Sequence, residues 1–214
     1  MPRHPLLIAL SLLATTAHVA VAQQTASRSQ FVVKKGKDTV AIEMFSRDRS
    51  TLASEIYQSN GVRTQYTADL RSDHTIKHVE MTRQGRQGAG GTVSVTFGDS
   101  IVSAVASAGG DGEKFEFVSH GKATPFLAIS FALAEQISLA NRLDIGKSTR
   151  LVAVRLAAGD STTVTLERFH SDSVSLVMPD LRLTVALSAA GEVIGGRNVA
   201  QGWVVERKPV SGKP

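Results

Sequence analysis

From Phe31 onward the chain alternates apolar and polar residues with a period of two, which restricts it to half-buried β-strands. The clearest stretch is 62–70. Val62, Thr64, Tyr66, Ala68 and Leu70 share one face, and Arg63, Gln65, Thr67 and Asp69 share the other. Val93, Val95 and Phe97 repeat the pattern against Thr92, Ser94 and Thr96, as do Leu181, Leu183, Val185 and Leu187 against Arg182, Thr184 and Ser188. One dry face and one wet face mark an antiparallel sheet, since strands of a parallel sheet read as unbroken apolar runs. Short turn clusters separate these stretches: Gly36-Lys37-Asp38, Ser59-Asn60-Gly61, Arg71-Ser72-Asp73, Gly98-Asp99-Ser100, Gly110-Asp111-Gly112, Gly159-Asp160-Ser161 and Ala190-Gly191-Glu192. Their recurrence predicts roughly a dozen strands joined as a meander.

One segment breaks the rhythm. Thr124 suits an N-cap, Pro125 suits the first helical position, and Phe126 to Leu143 contains neither Gly nor Pro. The pattern predicts one helix over about 125–143, roughly 27 Å long. Its first half is apolar nearly all round, while Glu135, Ser138 and Arg142 form a polar stripe on its second half. Such a helix needs an apolar partner, and the dry face of the sheet supplies one. The expected fold is therefore mainly β, a curved antiparallel sheet or half-barrel packed on one long helix.

The ends of the chain read differently. Arg3 and His4, the apolar run Leu6–Leu13 and Ala20-Val21-Ala22 have the form of a secretory signal peptide over residues 1–22. The apolar run is too short to span a bilayer of about 30 Å. The expected organisation continues with a disordered stretch at 23–29, a single β-rich domain at 30–208 and a disordered tail at 209–214. The chain contains no cysteine, which excludes disulfides and thiolate metal sites and predicts release without a lipid anchor. A secreted or periplasmic location follows, with no stable membrane anchor. The net charge of +5 is scattered and aromatic residues make up 5%, so no basic, aromatic-rich face for nucleic acid is expected.

The candidate chemistry is sparse. His74 and His78, near Asp73 and Glu80, are about 13 Å apart on a strand, too far to share one ion, so no metal site is expected. Phe169-His170-Ser171-Asp172-Ser173 places Ser, His and Asp side by side, but catalytic triads converge from distant positions. The glycine-rich stretch Gly85–Gly91 lacks the Lys-Ser/Thr of a phosphate loop. Asp111, Glu113 and Glu116 read as solvated acids. Neither catalytic residues nor a cofactor are assigned.

The signal-like N-terminus, the strand meander, the Thr124-Pro125 helix and the closing segment Asp180–Arg207 together resemble the curved-sheet proteins of bacterial envelopes. These include the lipoprotein carriers and related uncharacterised periplasmic families. The closing segment reads as strand, Ala-Ala-Gly-Glu turn, strand, then a final strand ending in Arg207. The resemblance implies an antiparallel half-barrel plugged by helix and assigns no functional residue. The expected function is a non-catalytic binding protein that holds a lipid, another apolar ligand or a partner segment between sheet and helix. Phe126, Ile129, Phe131, Trp203 and Tyr66 are the expected pocket lining. The alternatives are a cell-envelope module with a dry core, whose partner would be an envelope protein, and a hydrolase built on His120 or His170.

Overall fold

Among the described residues the alternation resolves into one continuous sheet with a single helix on it. The computed structural model describes residues 27–86, 90–108, 112–119 and 122–210. Its first strands are β1 (Ser27–Lys35), β2 (Asp38–Arg47), β3 (Thr51–Gln58), β4 (Arg63–Leu70), β5 (Ile76–Gln84), β6 (Gly90–Phe97), β7 (Ile101–Ser107) and β8 (Glu113–Val118). There follow β9 (Ala123–Phe126), helix α1 (Phe131–Ala140), β10 (Lys147–Arg155), β11 (Asp160–His170), β12 (Ser173–Met178), β13 (Leu181–Leu187), β14 (Val193–Asn198) and β15 (Trp203–Pro209). Fifteen strands among the described residues thus replace the expected dozen.

Their spatial order is β8-β7-β6-β5-β4-β3-β2-β1-β15-β14-β13-β12-β11-β10-β9. The meander is therefore double. Strands β1 to β8 step outward from the centre, β9 to β15 step back toward it, and β1 joins β15 through pairs such as Val33↔Val205. Neighbouring strands are antiparallel except β9 and β10, which run parallel with α1 as their crossover. Register shifts at Val33/Lys34, Asp69/Leu70, Glu167/His170 and Ala186/Leu187 bend the strands. The sheet curls until β9 lies against β5 and β6.

The inward face is the face the alternation marks as apolar. Thr64, Tyr66 and Ala68 of β4, Val95 and Phe97 of β6, and Leu183, Val185 and Leu187 of β13 are buried there. Phe31 stacks on Phe45 at 5.1 Å between ring centres, and Phe131 of α1 tilts against Phe31 at 5.9 Å.

The helix is shorter than 125–143 and starts later. Thr124 and Pro125 belong to β9, paired with Ala153 and Val154 of β10. A proline has no N–H to give and suits an edge strand as well as a helix start, so the same dipeptide fits both. Ser130 is the true N-cap, its hydroxyl accepting the Leu133 N–H at 3.2 Å. At the other end Asn141 closes the helix onto the Ile137 carbonyl. The expected polar stripe also turns inward at Glu135 and Ser138, leaving Arg142 exposed. No helix among the described residues is long and apolar enough to cross a membrane.

The ends are tidier than expected. Residues 27–29 belong to β1 and Pro209 closes β15, paired with Ser29. The proposed signal peptide, residues 23–26, Gly110-Asp111 and residues 211–214 lie outside the described residues.

Gly196 of β14 makes room for the plug. A Cβ there would lie 2.8 Å from the Thr184 carbonyl oxygen and 3.2 Å from the Phe131 ring. The carbonyl belongs to a paired strand and cannot retreat. Gly196→Ala is expected to destabilise the fold by about 1–3 kcal/mol through overpacking, read as a lower urea midpoint at unchanged m-value.

Candidate functional site

Two carboxylates are sealed inside the half-barrel, and both belong to the helix–sheet joint. In β2 the inward register runs Ala41, Glu43, Phe45, so an acid stands where an apolar residue is due. Glu43 is fully buried. Its Oε2 accepts the Phe131 and Ala132 N–H groups at 2.6 and 3.1 Å, the unpaired donors of the first turn of α1. Its Oε1 accepts the Ser130 and Ser54 hydroxyls at 2.6 and 2.9 Å. Tyr66 OH lies 3.2 Å from the same oxygen and 2.8 Å from Ser130 Oγ. The carboxylate thus caps the positive end of the helix from across the core. Burial raises the pKa of Glu43, and the donors from Ser130, Ala132, Ser54 and Phe131 pull it back. Burial and the neighbouring Glu43 charge push the Tyr66 phenol well above its ordinary value.

Glu135 fixes the middle of α1. It is also fully buried, with Oε1 2.7 Å from Arg47 Nη1 and Oε2 2.8 Å from Arg207 Nη1. The Val193 N–H donates to Oε2 at 2.6 Å. Arg207 also donates to Ser29 Oγ at 3.0 Å and to the Val193 carbonyl at 3.1 Å, and it lies over the Phe31 and Phe45 rings. Burial raises the pKa of Glu135, while the Arg47 and Arg207 charges lower it. A third tie comes from Gln136, which donates to the His74 carbonyl at 2.6 Å. His74 has φ +68°, and this left-handed turn aims its carbonyl at the helix.

These groups act as joints, the side chains that meet Glu43 being buried with it. Larger open spaces lie elsewhere. A cleft of about 790 Å³ opens between the inward face of β5–β8 and the 156–159 turn. Val62, Met81, Val93, Ala106, Phe115 and Leu156 give it apolar walls. It is roomy because residues beside them are small, including Gly85, Gly91, Ala157 and Ala158, while Arg83 and Glu113 also border it. A second groove, of about 600 Å³, is more polar and is bordered by Arg28, Met44, Glu55, Gln65 and Glu80.

The residues expected to line a pocket are dispersed. Phe131 and Tyr66 converge on Glu43, Phe126 is buried in β9, Ile129 is half-buried in the turn before α1, and Trp203 is half-buried in β15. Of the five, Tyr66 alone borders either cavity, the second groove. Phe131, Leu133 and Ile137 are buried beneath the helix, and smaller cavities of about 270 and 190 Å³ lie between its second half and the sheet. His78 bonds to Thr96 at 3.0 Å and lies 3.4 Å from Glu80, and no group of three metal-ligating side chains occurs among the described residues. His170 is exposed at the end of β11, and His120 lies outside the described residues.

Sequence reasoning passed over Glu43, Arg47, Ser130 and Arg207. The signal was present: Glu43 and Arg47 continue the inward register of β2, and Arg207 that of β15, where charges are out of place.

Comparison with known proteins leaves the chemistry open. No family model and no curated protein matches the chain. Among solved structures, a DUF1089 family protein from Pseudomonas aeruginosa is similar, with a TM-score of 0.55 and 12% identity over 75% of this chain and 91% of that one. The likeness is one of fold, to an uncharacterised family. A resemblance to lipoprotein carriers is not shown.

Proposed function

We propose that the protein is a non-catalytic binding protein of a secreted or periplasmic compartment. It takes an apolar ligand, such as a lipid chain, or an apolar partner segment, into the cleft beside β5–β8. The carrying observation is the cleft itself, an opening of about 790 Å³ walled by Met81, Val93, Ala106, Phe115 and Leu156. The volume falls within the range of small-molecule sites, and apolar walls with a few polar groups at the border are typical of them. The cavities beside α1 are smaller, about 270 and 190 Å³, so this reading favours the β5–β8 cleft over the space between sheet and helix.

The test combines native mass spectrometry of protein purified from its own compartment with titration by an apolar fluorescent probe. Co-purified lipid and saturable probe binding are expected. Ala106→Phe, which projects a ring into the cleft, should weaken probe binding at least tenfold, equal to about 1.4 kcal/mol. Clean protein that binds no probe, or binding that Ala106→Phe leaves unchanged, would remove the cleft as the site. The first of these outcomes favours the second reading, a cell-envelope interaction module. That reading is supported by the burial of Phe131, Leu133 and Ile137 under the helix.

A further inference from the structure

A sheet that does not close has two edges, and the two ends here are treated differently. β9 is four residues long, contains Pro125 and packs against α1, β5 and β6. Short length, proline and cover are standard protections for an edge. β8 has none of them. It is six residues long, lacks proline and pairs with β7, leaving its other edge unpaired among the described residues. Its outward face carries Lys114, Glu116 and Val118, flanked on β7 by Val105, Ser103 and Ile101. Val118 and Ile101 are 64% and 51% exposed. Among the described residues, neither Lys114 nor Glu116 has an ion-pair partner within the chain.

We propose that β8 is a homodimerisation edge, two copies pairing antiparallel about a two-fold axis at Phe115 so that one sheet runs through both chains. An isologous contact sets each residue against its mirror position in the other copy. The pleat adds a second constraint, because facing residues must lie on the same side of the sheet and the axis must therefore pass through a residue. Few registers satisfy both conditions. Centring on Glu116 sets that acid against its own copy. Centring on Lys114 sets the lysine against itself and Glu116 against Gly112. Centring on Phe115 sets Lys114 opposite Glu116 twice, with Phe115 meeting Phe115 on the inner face. Opposite charges facing across an antiparallel pair stabilise it and like charges destabilise it, so the outward face of β8 is complementary to itself in this register alone. Charges scattered merely to keep the edge apart would not need to alternate in sign at i and i+2.

The contact is one short strand per copy, so a concentration-dependent dimer is expected rather than an obligate one. Sedimentation velocity of the purified protein should show the mass rising from one chain to two across the micromolar to millimolar range. Lys114→Glu and Glu116→Lys, each on an exposed residue, should separately weaken self-association at least tenfold. An equimolar mixture of the two variants should dimerise again, because the mixed pair restores opposite charges at both positions. A single-chain mass throughout that range, a dimer that Lys114→Glu leaves intact, or a mixture that stays monomeric overturns the proposal.

Discussion

Glu135→Ala is expected to destabilise the protein by about 3–5 kcal/mol, the usual consequence of deleting one member of a buried ionic cluster. The loss has a specific origin. Arg47 and Arg207 come within 2.7 and 2.8 Å of the Glu135 carboxylate, and their side chains are 13% and 14% exposed. Without Glu135 two guanidinium groups in a poorly solvated space lose their nearest carboxylate, Arg207 is left with the more distant Glu192 at 3.8 Å, and the Val193 N–H loses its acceptor. The attraction itself accounts for less than this figure suggests, because desolvating three charges cancels much of it. Combining Glu135→Leu with Arg47→Leu and Arg207→Met should therefore recover most of the stability lost in Glu135→Ala. Urea unfolding of the single and triple variants checks both statements. A triple variant no more stable than the single one would mean that Arg47 and Arg207 act through contacts other than Glu135. Arg207 has such contacts in Ser29, the Val193 carbonyl and the Phe31 and Phe45 rings. The surface pair Lys34–Glu206 offers a contrast, since an exposed pair is worth no more than about 1 kcal/mol and weakens in salt.

The sheet was legible in the sequence because a period of two is a direct consequence of the pleat. The stretches 62–70, 92–97 and 181–188 required no tertiary information, and they lie in β4, β6 and β13. The order of strands was not legible. Nothing local to Phe31 or Trp203 says that the first and last strands meet, so two half-meanders read as one. The helix was found but misplaced, since Thr124-Pro125 has the chemistry of a helix start and also of an edge strand. What decided between them was β10, which pairs with 123–126 and just past whose end the Leu156 N–H reaches the Phe126 carbonyl from 30 positions further along the chain. The joint at Glu43 was half legible: an acid in the inward register of β2 could be read, but not its partners Ser130 and Phe131. The cleft was not legible, because it arises where small residues of separate strands fall side by side.

Glu43→Gln is expected to lower stability by about 1–3 kcal/mol at acidic pH, with the gap to wild type closing as pH rises. Even protonated, the acid keeps an accepting lone pair on both oxygens and has a single O–H to place, whereas the amide presents an NH2 group that accepts nothing, opposite donors that themselves need an acceptor. The two N–H groups of the first helical turn and the two serine hydroxyls cannot all remain satisfied. The pH dependence follows from burial, which raises the Glu43 pKa in the folded state above its value in the unfolded chain. Over the interval between those two values the folded state binds more protons, so stability falls as pH increases through it. Stability from this group is complete below the unfolded value, near 4.3, and is lost on passing through the folded one. Glutamine has no proton to lose and carries no such dependence. Carboxylates held low, such as Asp48 with its Ser50 and Thr51 N–H donors, tilt the total curve the other way, so only the difference between variant and wild type isolates Glu43. The measurement is urea unfolding of both proteins from about pH 4 to pH 8, with amide exchange at Phe131 and Ala132 reporting the first turn of α1. A difference that stays constant over that interval would show that the folded Glu43 titrates as it does in the unfolded chain, overturning the raised pKa. The helix would then be held by a carboxylate that the core never neutralises.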